Sequence, residues 1–488
     1  MSLRTGFASM PPDWRTLRPG CGRKGPYGDR MTITSHSSAL VRALSDQVSG
    51  PVTTPGSDRY DSERAGLQRL GRHRPSLVVG ATGTGDVRAA VTAAADHDLP
   101  IAVQASGHGT GLPLDGGVLV TTGRMAGVRV DPDRRTAWVE AGAPWGDVVR
   151  AAAEHGLAPL SGSAPGVGAV PYTLGGGVGL MARRYGYAAD HVRRLELVTV
   201  DGRVRRVDAE HDPDLFWALR GGGGSFGVVT GMEIGLVPVS RIYGGGLFFD
   251  AGSDILHAWH EWTGNAPEDL TSGMTVLVLP DVPGVPEALR GRHIAQVAAV
   301  WTGPLDQGPD VVAPLREAAP VLMDTLRELP YAESATVYSE PDSPHGYRSR
   351  NMLLSGLDPA AATDLLGRTG PSQPFMTVVG LRHLGGALAR EPESANAVGH
   401  RGAAYSLNVL TVAEDADTGE MAALRSDAAS LFADHTLGRS LNFSFGPLAP
   451  EEVREAFAPA DFARLARVRA DVDPGGLVRA NHPIPPLA

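Results

Sequence analysis

From Pro75 onward, short apolar runs alternate with segments of helical period. Residues 76–79 predict a strand, since Leu77 is followed by two β-branched residues and a glycine. Residues 84–97 predict a helix with Asp86 near its first turn, where the helix dipole favours a carboxylate. Residues 101–104 and 117–121 read as further strands. Residues 128–130 and 136–140 flank Asp131-Pro-Asp133, which reads as a hairpin turn. Residues 145–155 carry Val148, Val149 and Ala152 as one apolar stripe, and Gly156 ends that helix. A second hairpin joins residues 195–200 and 204–207 through Asp201-Gly202. Residues 214–220 are helical, Gly221 to Gly224 break the helix, and residues 228–236 return as a strand.

After Pro238 the texture changes. Strand patterns at 275–279, 293–301, 376–381 and 405–412 are separated by helical ones such as 314–327 and 421–435. This suits an α+β layer, an antiparallel sheet with helices on one face, distinct from the first region. Residues 457–470 are amphipathic, with Phe462, Leu465 and Val468 on one side. Asp473-Pro-Gly-Gly476 stops them, and Asn481-His-Pro-Ile484 closes the chain.

At 488 residues the chain exceeds one core and suggests two or three domains. No apolar stretch approaches the length of a membrane span. The net charge of −10 argues against a nucleic-acid partner. Lys24 and Cys21 are the only lysine and cysteine. The body therefore lacks a Schiff-base lysine, a phosphate-loop lysine, thiolate metal sites and disulfides. Arginine stands in for lysine almost throughout, a composition typical of a GC-rich bacterial genome. Residues 1–30 show no apolar periodicity and no hydrophobic core of a secretory signal. They read as a disordered extension, with Met31 a candidate start, and the expected location is cytoplasmic.

Three generic motifs have bland readings. Gly177-Val-Gly-Leu-Met-Ala182 matches the dinucleotide fingerprint, with Asp201 at the expected distance, but Pro171 and Gly186 interrupt the strand and helix it needs. Gly223-Gly-Ser-Phe-Gly227 matches a nucleophile elbow, yet a helix precedes it and a strand follows, the reverse of what Ser225 would require. His257 and His260 share a helix face without a third ligand, so a solvated face is the simpler reading and no metal is expected.

Glycine loops carry more. Residues 105–111, Ala-Ser-Gly-His-Gly-Thr-Gly, follow a strand and hold one imidazole, His108. A second turn spans 162–168, and Tyr172-Thr-Leu-Gly-Gly-Gly-Val-Gly179 supplies a third. Such turns let backbone N–H groups approach a pyrophosphate closely, without lysine.

In this order these loops resemble the flavin-binding half of the vanillyl-alcohol oxidase superfamily, in particular its berberine-bridge-enzyme-like branch. The resemblance includes Gly116-Gly-Val-Leu-Val120, Val139-Glu-Ala-Gly142, the run from Tyr185 to Val192, the run from Asp214 to Thr230, and the closing Asn481-His-Pro-Ile484. It implies a two-subdomain FAD-binding domain at 31–240, to which 445–488 return, and a substrate domain at 241–444. It also implies FAD bonded covalently through His108. Its cofactor-binding set is Ala105, Ser106, Gly107, His108, Gly109, Thr110, Gly111, Gly162, Ser163, Gly166, Val167, Gly168, Tyr172, Thr173, Gly175, Gly176, Gly177, Gly179, Asp190, His191, Gly227, Val228, Val229, Asn481 and His482.

Three positions depart from the family pattern. Ala164 stands where many members carry a second, cysteinyl link, so a double tether is impossible. Gln104 replaces an arginine before the first loop. Arg439-Ser-Leu-Asn-Phe443 lacks the tyrosine that often assists substrate deprotonation. The expected activity is oxidation of a C–H bond beside O or N in a small molecule, with O2 as acceptor and H2O2 as product. Tyr405, His383 and Arg382 are candidates for the catalytic group, and strand alternation sends Arg382 and His383 to opposite faces. The alternatives are a flavin dehydrogenase with another acceptor, a nicotinamide-dependent enzyme and a non-catalytic flavin-binding module.

Overall fold

The computed structural model describes residues 36–487, so the extension read at 1–30 lies outside the described residues. Three sheets organise the chain. The first has four strands in the order Val52–Thr53, Leu77–Gly80, Val118–Thr121 and Ile101–Gln104. Its last three strands are parallel, and buried β-branched runs on both faces explain why no polar alternation marks them. The helix Thr84–Asp96 packs Val87, Ala90, Val91 and Ala94 onto this sheet.

The second sheet is antiparallel, in the order Val128–Asp131, Thr136–Glu140, Val228–Gly235, Val192–Val198 and Val204–Val207. Both predicted hairpins are present. The closing helix Pro459–Val472 sets Phe462 and Leu465 into the same core as Trp217 and Leu219. The end of the chain thus returns to the first half of the molecule.

The third sheet has nine strands spanning residues 241 to 438. Its centre runs Arg241–Asp250, His293–Trp301, Leu270–Val278, Thr377–His383, Tyr405–Val412 and Tyr347–Leu354, each antiparallel to the next. Met274, Val297, Leu381, Leu407 and Met352 leave one face and pack with Trp259, Leu365 and Phe432 from the covering helices. The opposite face looks toward the glycine loops. Among the described residues no helix is long and apolar enough to cross a membrane.

The helix expected at 314–327 is instead Gly308–Ala318, followed by a short strand, Met323–Asp324. Pro314 sits inside that helix and misled the placement of its start. Two long strands carry no clean alternation. Arg241–Asp250 contains Gly244, Gly245 and Gly246, and Tyr347–Leu354 contains Arg348, Arg350 and Asn351.

Candidate active site

The loop of residues 105–111 leaves the C-terminal end of Ile101–Gln104. Among the described residues, none of the backbone N–H groups from Ser106 to Gly111 donates a hydrogen bond within the protein. Six successive unpaired donors form an anion cradle. Gly107 has φ +69°, and a Cβ there would lie 2.5 Å from the Gly66 Cα, so only glycine fits. Gln104 fixes this approach by donating to the Ala65 carbonyl at 3.0 Å.

Ser106 joins the first loop to the second. Its Oγ accepts from the Gly168 N–H at 3.2 Å and lies 2.8 Å from Nδ1 of His108. The His108 ring in turn lies 3.6 Å from where a Cβ of Gly166 would stand. Burial pulls the His108 pKa down from 6.5 to about 4, with a smaller push from His345. The imidazole is therefore neutral, and nucleophilic, at neutral pH. Val167 accepts from the Trp145 N–H at 2.9 Å and packs against the core beneath, which anchors the second loop.

The closing segment seals the cradle. Asn481 accepts from the Leu112 N–H at 3.0 Å, and a Cβ on Gly111 would strike its carbonyl at 2.4 Å and the His482 ring at 2.8 Å. His482 contacts the Ser444 carbonyl through Nε2 at 2.9 Å.

Tyr172 and Thr173 lie on the helix Ala169–Leu174. Thr173 bonds back to the Ala169 carbonyl, a purely local role. The Tyr172 ring meets Trp145 edge-on and stands 3.0 Å from a Gly162 Cβ position, while its buried hydroxyl has no protein partner. Gly175 admits Asn442, whose Oδ1 lies 2.0 Å from where a Cβ would be. Gly176 and Gly177 have φ of +104° and +79°. Gly179 lies against the Ser161 carbonyl. Unpaired N–H donors, an orphaned tyrosine hydroxyl and glycines with no room for side chains all fit a bound dinucleotide such as FAD.

Several of the expected cofactor-binding residues are held within the protein. Asp190 is committed to the protein: its carboxylate takes Arg401 at 2.6 Å, Asn396 at 2.7 Å and the Tyr187 N–H at 2.9 Å. His191 is held by the Tyr185 carbonyl at 2.7 Å. Asp190 thus latches the first half of the chain to residues 396–401, whereas the His191 contact is local. Gly227 is pressed against the Val198 carbonyl, and Val228 and Val229 are buried in the two cores under the loops. The dinucleotide fingerprint lacks its context, since a helix and not a strand precedes Gly177. Ser225 is fully buried and accepts from the Ile484 N–H.

The sheet face settles the catalytic candidates. Tyr405 pairs in register with His383 and Leu354 and leaves the helix-covered face, where its hydroxyl lies 2.7 Å from Thr263. It cannot reach the loops. His383 stacks on Tyr405, holds Arg183 at 2.9 Å, and is driven to about 3 by burial. Arg382 leaves the opposite face of the sheet and lines the cleft, which His383 also borders. Its guanidinium lies between the rings of Tyr338 and Phe443, at 5.2 and 5.1 Å, and reaches toward Ser163. An arginine stays protonated, so it supplies charge and not a base.

Sequence reasoning missed three residues here. Tyr347 lies at the start of a cleft-facing strand and donates to the His108 carbonyl at 2.6 Å. Glu340 accepts a hydrogen bond from the Ser163 hydroxyl at the mouth of the cleft. Tyr338 walls Arg382. No motif marks Glu340 or Tyr338, and only the register of Tyr347–Leu354 could have pointed to Tyr347.

A parallel sheet, an antiparallel sheet and a returning C-terminus around a glycine-lined cradle, faced by a large antiparallel sheet, define an FAD-linked oxidoreductase. Residues 75–208 match the family described as an FAD binding domain. The chain is 29% identical over 480 residues to (R)-6-hydroxynicotine oxidase of Paenarthrobacter nicotinovorans, covering 92% of this chain and 99% of that one. It is 30% identical over 300 residues to berberine bridge enzyme-like C-2 of Nicotiana tabacum, covering 57% and 52%. Its fold matches xylooligosaccharide oxidase from Myceliophthora thermophila C1 with a TM-score of 0.80 at 20% identity, covering 92% and 99%. The chain is thus similar, in its FAD-binding region and in its overall fold, to FAD-linked oxidases that include berberine-bridge-enzyme-like proteins.

Proposed function

We propose that the protein is an oxidase that removes hydride from a C–H bond beside oxygen or nitrogen in a small molecule, holding FAD through a single bond to His108. The observation that carries this reading is the run of free N–H groups from Ser106 to Gly111 around a neutral imidazole, opposite a sheet face bearing Arg382 and a neighbouring loop that carries Glu340. Bound FAD supplies the two-electron acceptor and the route by which electrons reach O2 to give H2O2.

The chain's own groups do the rest. The three glycine loops bind the diphosphate, and Ser106 holds the His108 ring in place. Ala164 leaves no thiol for a second link. Glu340 takes the O–H or N–H proton of the substrate, and Ser163 orients its carboxylate. Val178, Leu180, Ala298 and Val300 line the cleft and exclude water.

The test begins with acid denaturation of purified protein. Yellow colour that stays with the pellet in wild type, and is lost in His108→Ala, supports the tether. Oxygen uptake and peroxide are then followed over a panel of alcohols and amines. Turnover only with artificial electron acceptors would replace the oxidase by a dehydrogenase.

A further inference from the structure

We propose that the substrate carries a carboxylate and that Arg382 is the residue that binds it. This rests on the oxidase reading above and names the substrate class for the same cleft.

Arg382 shares its register position with Ser406 and Gly273 on the neighbouring strands, so its side chain leaves the cleft face of the sheet. Its guanidinium carbon lies over the rings of Tyr338 and Phe443, 5.2 and 5.1 Å from their centroids. Such cation–π contacts hold a guanidinium in place without using up its N–H donors. The Tyr338 hydroxyl would lie 2.7 Å from a Cβ on Gly273, so the absent side chain there makes room for this wall.

The partners of Arg382 are few. Its hydrogen bond to Ser163 Oγ is long, at 3.5 Å, and among the described residues no carboxylate lies within ion-pairing distance. The buried arginines of this chain, by contrast, are saturated. Arg401 is paired with Asp190, Arg425 with Asp417 and Arg439 with Glu455. Arg183 and Arg220 are capped by backbone carbonyls. Arg382 is half-buried with its charge unpaired, which leaves its donors open to an entering anion.

A carboxylate matches the open fork of a guanidinium with two parallel hydrogen bonds. The adjoining cleft is apolar along Val178, Leu180, Ala298 and Val300. Ser163 contacts both Arg382 and Glu340, so a carboxylate held by Arg382 leaves a neighbouring O–H or N–H near the Glu340 base. The substrate is then a hydroxy or amino acid with an apolar body.

Benzoate and benzamide, alike in shape and different in charge, are titrated into the flavin-loaded protein by calorimetry. Flavin absorbance is recorded in parallel. Benzoate is expected to bind at least about 10-fold more tightly than benzamide, as charge-assisted hydrogen bonds require. Arg382→Met should erase that preference, and Arg382→Lys should restore part of it. Flavin content and Tm show that each variant is folded, and Arg382→Lys carries the comparison if the Met variant does not load flavin. Equal binding of the two probes, no binding of benzoate, or benzoate affinity unchanged in a folded variant would overturn the proposal. Protein that retains flavin and oxidises neutral alcohols while ignoring benzoate sinks the carboxylate and leaves the oxidase standing. Protein that takes up no FAD sinks the oxidase, and calorimetry still reports on Arg382.

Discussion

The Tyr347 hydroxyl donates to the carbonyl of His108 at 2.6 Å, so a strand of the nine-stranded sheet grips the loop that carries this imidazole. Burial raises the Tyr347 pKa, which keeps the phenol a donor throughout the working pH range. Tyr347→Phe removes the donor and leaves a buried carbonyl unpaired, at a cost of about 1 to 3 kcal/mol. We expect the variant to fold and to load FAD more slowly, measured as flavin retained after acid precipitation at successive times. Unchanged loading would show that the grip is not needed to place His108.

Gly175 is required by Asn442 and not by its own backbone, whose φ is −91°. The Asn442 side chain fills the space of a Cβ and donates to the Tyr172 carbonyl at 2.8 Å. Gly175→Ala should force Asn442 away, costing about 1 to 3 kcal/mol and lowering flavin content. The double variant Gly175→Ala with Asn442→Ala should recover part of the stability in thermal melts.

Acid should unfold the protein through its buried histidines. Burial holds His73 and His482 at about 4 and His383 at about 3, against 6.5 when unfolded. Below pH 6.5 the unfolded chain takes protons that the folded one refuses, so the contribution of these groups is complete above that pH and lost as pH falls toward 4. Each contributes on the order of 3 to 5 kcal/mol. Tm should fall steeply through this window, and His73→Gln should flatten the profile.

The pair Asp190 and Arg401 joins the FAD-binding half to the segment before Tyr405, with side chains 9% and 7% exposed. Asp190→Asn leaves a buried guanidinium without its charge partner, a loss of roughly 3 to 5 kcal/mol. Chemical denaturation should show it as a lower midpoint with an unchanged spectrum of any flavin still bound.

The flavin cradle was legible because glycine turns, and a histidine among them, are set by backbone geometry that few residues satisfy. The first two sheets were legible for a similar reason: their strands are short, apolar and punctuated. The pairing of Asp190 with Arg401 was not legible, because Arg401 lies far along the chain and nothing local marks which cation reaches the carboxylate. The substrate side was poorly legible. Tyr347–Leu354 hides its register under arginines, and Glu340 comes from a loop whose position only the folded chain defines.

Tyr405 and Glu340 offer the sharpest contrast between the two readings of the catalytic group. The Tyr405 hydroxyl is buried with Thr263 behind the sheet, whereas Glu340 meets Ser163 at the cleft. Tyr405→Phe should cost about 1 kcal/mol of stability and leave kcat/KM within about 2-fold. Glu340→Gln removes the proton acceptor and should lower kcat by about 100-fold or more, with flavin content unchanged. The opposite ranking, a silent Glu340→Gln beside a crippled Tyr405→Phe, would mean that substrate reaches the helix-covered face, against the register of every strand in this sheet.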